Sequence, residues 1–152
     1  MRKFLYLLVL PVFLLGCKNS QQNIDQQIIE NYISSHHLNA YAEQGGLYFV
    51  PISSGSGGLA TTASQVTVTY TGYLTNDSVF GSSTAPFTIS LANAIQGWQE
   101  GIPFMQRGGT ALLLIPSALG YGTQPQAQQY GYSTGIPANS VLIFNIHLLA
   151  FQ

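Results

Sequence analysis

The sequence predicts an α+β fold, with one antiparallel sheet, one short helix packed on it and a longer helix at the N-terminus. Three observations carry this. From Val66 to Thr71 the chain alternates in period two, Val66, Val68 and Tyr70 against Thr67, Thr69 and Thr71, the pattern of a half-buried antiparallel strand. Between Ile24 and about Ala42 apolar residues recur at helical spacing instead. In the second half only Ala92 to Gly101 looks helical, and it is short.

Taken in order, the first 17 residues, MRKFLYLLVLPVFLLGC, set Arg2 and Lys3 before an apolar run from Phe4 to Leu15 that Pro11 interrupts without making polar. This is a secretory signal, too short for a comfortable membrane span. Leu14-Leu15-Gly16-Cys17 resembles the lipobox of bacterial lipoproteins, where diacylglycerol is added to the Cys thiol and cleavage follows just before it. Cys17, the sole Cys, is thus the expected lipid attachment point. Residues 1–16 are a lipoprotein signal peptide in this reading, 17–23 a polar tether, 24–54 an N-terminal helix and strand, and 55–152 the main domain.

In the helix, Ile24, Ile28, Ile29, Tyr32, Ile33, Leu38 and Tyr41 form the apolar side, Asn23 is the expected N-cap, and Asp25 and Glu30 lie where the dipole favours negative charge. Gly45-Gly46 breaks it. LYFVPI, Leu47 to Ile52, reads as a strand, and SSGSGG, Ser53 to Gly58, as a flexible connection without the strand-to-helix context of a phosphate cradle. Phe87 to Leu91, Thr110 to Ile115 and Val141 to Ala150 are further strands.

Charge and cysteine usage exclude several classes. After cleavage only Lys18 and Arg107 are basic, against Asp25, Glu30, Glu43, Asp77 and Glu100, so there is no footprint for nucleic acid and no polybasic patch for lipid headgroups. With its one thiol acylated the chain forms no disulfide. Metal binding is not expected, because His36 and His37 are adjacent on a helix and point apart, while His147 follows the inward Ile146 and faces out. No cofactor is expected either.

The stretch GYSTG, Gly131 to Gly135, has the G-x-S-x-G spacing of a hydrolase nucleophile elbow. Its context is wrong. A helix must follow the nucleophile, yet Ser133 leads through Ile136 and Pro137 into the last strand, and no Asp or Glu lies downstream to complete a triad with His147.

What the C-terminal half has in excess is large apolar residues near turns and element ends: Tyr70, Phe80, Phe87, Ile95, Trp98, Tyr121, Ile136 and Phe144. A core explains most single aromatics. Trp98 between Gly97 and Gln99, and Tyr121 between two glycines, fit better as the floor and lip of an apolar cleft.

In order and spacing, VTVTYTGYL (66–74), VFGSS (79–83), PFTISL (86–91), AIQGWQEGIPFMQRGGTALLLIPSALGYG (94–122) and IPANSVLIFNIHLL (136–149) resemble the FKBP-type peptidyl-prolyl cis-trans isomerases. The N-terminal helix followed by GGLYFVPI looks like the preamble of FKBP-type lipoproteins, which implies a lipid-anchored place in the bacterial cell envelope, on the periplasmic face of the outer membrane. The resemblance implies a half-barrel sheet wrapped around the short helix, with 55–152 as the isomerase domain. It also implies that Tyr70, Phe80, Trp98, Tyr121 and Phe144 form the catalytic cleft, with Phe87, Ala94, Ile95 and Ile136 binding substrate. Trp98 would underlie the proline ring, the Ile95 N–H would contact a substrate carbonyl, and the Tyr121 hydroxyl would donate.

Three departures stand out. Gly81 replaces the Asp that follows the pocket Phe in the family, Ala94 replaces a larger aliphatic and widens the cleft, and the loop from Thr123 to Gly135 is longer than usual. The missing carboxylate at Gly81 implies weak binding of the family's macrolide inhibitors. The tripeptide Asp77-Ser78-Val79 also resembles a bacterial O-glycosylation motif, with Ser78 as acceptor.

The implied chemistry needs no nucleophile, metal or base. Amide rotation is opposed by roughly 18–20 kcal/mol of lost resonance, and no proton moves. An apolar cleft that desolvates the imide and favours its twisted form suffices, a ~10⁵-fold acceleration asking for about 7 kcal/mol of differential binding. Proline-containing chains of envelope proteins are the implied substrates. The alternative is an FKBP-like chaperone or scaffold module with little turnover, which the three departures favour and the full aromatic set opposes.

Overall fold

The computed structural model describes residues 16–127 and 135–152. Its elements are α1 (Gly16–Ser35), β1 (Tyr41–Ala42), β2 (Tyr48–Ser53), β3 (Gln65–Tyr73), β4 (Val79–Ser90), α2 (Gln96–Gly101), β5 (Thr110–Ile115) and β6 (Leu142–Phe151). All strands pair antiparallel in one open sheet of order β1-β2-β5-β6-β3-β4. The short helix α2 packs on one face of it, beside β5.

The strands read out which face is covered. In β3, Val66 and Val68 are fully buried beneath α2 with Phe80, Trp98, Ile102, Leu113, Ile115, Phe144 and Ile146. On the opposite face Ile29 of α1 packs with Val50, Leu114, Val141 and Ile143. This double cover explains the unbroken run Ala111 to Ile115, where Leu113 and Leu114 are both fully buried on opposite faces. Asn145 and His147 lie farther along β6, half-buried beside Thr69 and Ser83 on the polar part of the sheet.

The N-terminal helix is displaced from its expected span. It runs Gly16–Ser35 rather than from Ile24 to about Ala42, so Lys18 to Asn23 is helix and not tether, and Asn23 is interior rather than a cap. It stops early on a Schellman motif without glycine: Leu38 N–H donates to Ile33 O (3.0 Å), His37 N–H to Ser34 O (3.3 Å), and His37 takes the left-handed conformation at φ 53°. The periodicity that continues to Tyr41 is thus not helical. Tyr41 stands exposed in β1, Ile24 is half exposed, and Ile28, Ile29, Tyr32, Ile33 and Leu38 form the docked side.

Beyond the helix end, Tyr32 Oη–H donates to Asp77 Oδ1 (2.9 Å), and His36, stacked on Tyr32 at 3.8 Å, places Nε2 3.4 Å from the same oxygen. Burial first, then Asp77, pushes the Tyr32 hydroxyl up to about 12, so it remains a donor at any physiological pH. Asp77 forms the β3–β4 turn at φ 63°, where Ser78 donates through its N–H and Oγ to Asn76 Oδ1 (3.1 and 2.6 Å). The expected strand Phe87 to Leu91 is the end of β4, which begins as early as Val79 because VFGSS pairs with β3 as well.

Candidate active site

The segment before α2 is built from backbone bonds with one side-chain brace. Leu91 to Asn93 makes a 3-10 turn that Ala94 N–H closes on Leu91 O (3.0 Å). Gln99 Nε2 donates back to Ala94 O (2.9 Å), and Ile95 O accepts from the N–H groups of Trp98 (2.9 Å) and Gln99 (3.2 Å). Among the described residues the Ile95 N–H enters no hydrogen bond, which leaves it available at the start of the helix.

Two glycines set the depth of α2. A Cβ at Gly97 would stand 2.4 Å from Ile115 Cγ2, and one at Gly101 2.6 Å from Leu113 Cδ1, so the glycine side of the helix lies directly on β5. Trp98 is thereby sunk into the sheet's concave face, only 5% exposed. Tyr70 of β3 and Phe144 of β6 meet it edge to face, each at 5.3 Å between ring centroids and at 80° and 82°. Phe87 joins Tyr70 edge-on at 6.2 Å and is 40% exposed, at the rim.

These rings enclose a cleft of about 260 Å³ lined by Tyr70, Phe87, Ile89, Asn93, Ala94, Ile95, Trp98, Tyr121 and Phe144. No lining side chain carries a charge. Beside the Ile95 N–H, one side-chain donor is unspent: Trp98 Nε1 is buried without an acceptor among the described residues. Such an exception costs roughly 1–3 kcal/mol in a core and calls for an explanation from function.

Of the residues singled out in the sequence, Tyr70, Phe87, Ala94, Ile95, Trp98, Tyr121 and Phe144 meet here. Phe80 and Ile136 do not line the cleft. Phe80 is fully buried and stands edge-on at 5.3 Å to Phe144, so it backs the ring that forms the wall. Ile136 is 1% exposed and belongs to the same core, where its backbone exchanges hydrogen bonds with Gln126 (2.8 and 2.9 Å). Ile89 and Asn93 were not anticipated. Ile89 had a signal, since it follows Phe87 by two residues on one strand and shares its face; Asn93, in a turn, had none. Of GYSTG, residues 131–134 lie outside the described residues.

A family model for FKBP-type peptidyl-prolyl cis-trans isomerase matches residues 57–149. The FK506-binding protein of Neisseria meningitidis serogroup B (strain ATCC BAA-335 / MC58) is 39% identical over 110 residues, which cover 69% of this chain and 95% of that protein. The FKBP-type peptidyl-prolyl cis-trans isomerase FkpA of Buchnera aphidicola subsp. Schizaphis graminum is 35% identical over 136 residues, 87% of this chain; the chain spans only 51% of that relative. Among solved structures, FkpA from Escherichia coli superposes with a TM-score of 0.71 at 27% identity, over 89% of this chain and 62% of that one. A peptidyl-prolyl cis-trans isomerase from Pseudomonas syringae pv. tomato reaches a TM-score of 0.74 over 90% and 97%, at 23% identity a likeness of fold alone.

Proposed function

The chain belongs to the FKBP-type peptidyl-prolyl cis-trans isomerase family, and from that premise we propose that its 260 Å³ aromatic cleft isomerises X-Pro bonds in polypeptides. The observation that carries the reading is the deeply sunk Trp98 with Tyr70 and Phe144 edge-on to it, an apolar, uncharged floor on which a proline ring can lie. In that environment the planar imide loses its hydration, and the twisted form, whose nitrogen is pyramidal and whose carbonyl has lost its charge-separated resonance, is favoured relative to it. The Ile95 N–H holds a flanking carbonyl of the substrate. The test is NMR exchange or a protease-coupled assay on a short X-Pro peptide, in which a folded protein without acceleration over the uncatalysed rate refutes the reading.

Gly81 separates this enzyme from a scaffold with little turnover. It sits buried in β4 opposite Gly72 and is not among the glycines with positive φ, so a side chain there meets no backbone strain. Gly81→Asp is expected to raise both kcat/KM and affinity for a macrolide inhibitor, by about 1.5–3 kcal/mol at most if the carboxylate gains one charge-assisted hydrogen bond, less its burial cost. Tight inhibitor binding by the unmodified protein contradicts the idea that Gly81 weakens the site. A folded but inactive Gly81→Asp protein favours the chaperone or scaffold.

In the same reading the protein acts in the bacterial envelope, held by acyl chains on Cys17 at the periplasmic face of the outer membrane. Acyl chains contribute about 0.8 kcal/mol per buried CH₂, so two or three of them hold a domain that carries no spanning helix among its described residues. Where the described residues begin, at Gly16, the chain is already helical, so in this reading the residues that follow Cys17 are helix and not a loose tether. Cys17→Ser is expected to move the protein from the membrane fraction to the soluble one or to block its processing. Mass spectrometry of the native protein checks this, and an unmodified N-terminus at residue 17 overturns it.

A further inference from the structure

The helix α1 lies outside the 57–149 family match, yet it delivers a carboxylate to the turn that carries Tyr121. Asp25 is 1% exposed. Its Oδ2 accepts from both the N–H (2.8 Å) and the Oγ–H (2.6 Å) of Ser117, and its Oδ1 accepts from Gln21 Nε2 (2.8 Å), so both oxygens are engaged. Ser117 opens the 3-10 turn Ser117–Leu119 that follows β5, where free amides suit an anionic acceptor.

The other end of Ser117 holds the cleft residue. Its carbonyl accepts from Gly120 N–H (3.0 Å) and from Gly122 N–H (2.8 Å), the two residues that flank Tyr121. Gly122, at φ 58°, is pinned in turn where Asn139 N–H donates to its carbonyl (2.7 Å). The backbone on both sides of Tyr121 therefore hangs on one serine, and that serine is fixed through its amide and hydroxyl by the appended helix. We propose that Asp25 is a positioning residue for Tyr121, so that α1 sets the geometry of the isomerase cleft from the far side of the turn.

This inference rests on the isomerase reading, and its test is built to fail separately. In the full chain, Asp25→Ala leaves the Ser117 N–H and Oγ without their acceptor and is expected to lower kcat/KM for an X-Pro peptide about tenfold, mainly through KM. Asp25→Asn, whose Oδ1 can still accept from Ser117, is expected to stay within about threefold of the unmodified protein. Ser117→Ala, which removes only the hydroxyl contact, should fall between them and covers the case in which Asp25→Ala does not fold.

General loosening would not produce the decisive result. If Asp25 acts through Tyr121, its substitution adds little to the loss in a Tyr121→Phe background, whereas mere destabilisation adds in full. Folded Asp25→Ala or Ser117→Ala protein with unchanged kcat and KM, or losses additive with Tyr121→Phe, overturns the proposal. Should the unmodified protein not turn over at all, the isomerase reading falls and the Tyr121 ring resonances still decide: they shift on Asp25→Ala and Ser117→Ala, and much less on Asp25→Asn, if the helix positions the ring, and stay in place in all three if it does not.

Discussion

Trp98→Ala is expected to lower kcat/KM for X-Pro peptides by about a hundredfold, or ~2.7 kcal/mol of transition-state stabilisation. The indole is the floor of the cleft, and its removal opens space that water fills, so the imide regains the hydration that the site excludes. Tyr70 and Phe144, each 5.3 Å from the indole, also lose their edge-on partner, and truncating so large a buried ring costs about 3–5 kcal/mol of stability. Stability and activity must be separated. The check is single-turnover or NMR exchange kinetics below the melting transition of the variant, with Trp98→Phe beside it. Phe keeps the ring face and gives up only size and the unpaired Nε1 donor, so it should retain most activity. Folded Trp98→Ala protein at the unmodified rate would make the cleft no more than a core.

The strand pattern was legible because each strand's environment is written in its own residues. Period two marks β3, and flanking segments with Gly, Pro and Ser delimit Thr110 to Ile115, the full span of β5. The helix boundaries were not legible, for a physical reason. The periodicity from Ile24 to Tyr41 records which residues face something apolar, and residues beyond a turn face it as well: Leu38 packs beside Ile33 across the Schellman closure at His37. A glycine at that position would have signalled the stop. A histidine in the left-handed conformation did not.

The cleft was legible where local sequence dictates position, as with Trp98 between glycines, and less so where depth depends on tertiary packing. Nothing local distinguishes Phe80 from Phe87, yet one is fully buried behind Phe144 and the other stands at the rim. The sequence places Asp25 near a helix start where the dipole favours negative charge, but α1 runs Gly16–Ser35 and Asp25 stands in its interior. Its partner lies 92 residues away in sequence, and no local pattern announces a buried carboxylate bound to Ser117.

Gly55→Ala is expected to destabilise the protein by more than ~3 kcal/mol, through a contact that the glycine and serine content of SSGSGG conceals. Gly55 lies against the turn before β5, with a Cβ there placed 2.2 Å from Arg107 O and 2.6 Å from both Gln106 O and Gly109 N. All three are backbone atoms, which cannot turn aside as a side chain can. The neighbouring Ser56 N–H donates to Arg107 O (2.9 Å), so relieving the overlap also breaks the bond that seats this segment. Overpacking of this kind ordinarily costs about 1–3 kcal/mol where side chains can yield, and more where only backbone is available to move. Gly57 is the control: its φ of 100° disfavours a side chain, but nothing stands within 4 Å, so Gly57→Ala should cost only about 1–2 kcal/mol from backbone strain. Urea melts of the two variants beside the unmodified protein separate the cases. Equal and small losses would mean that residues 53–58 are the flexible connection their composition suggests. A loss concentrated at Gly55 means that the segment is held as part of the fold, with the turn at 106–109 fixed against it and β5, on which α2 and Trp98 rest, beginning from that turn.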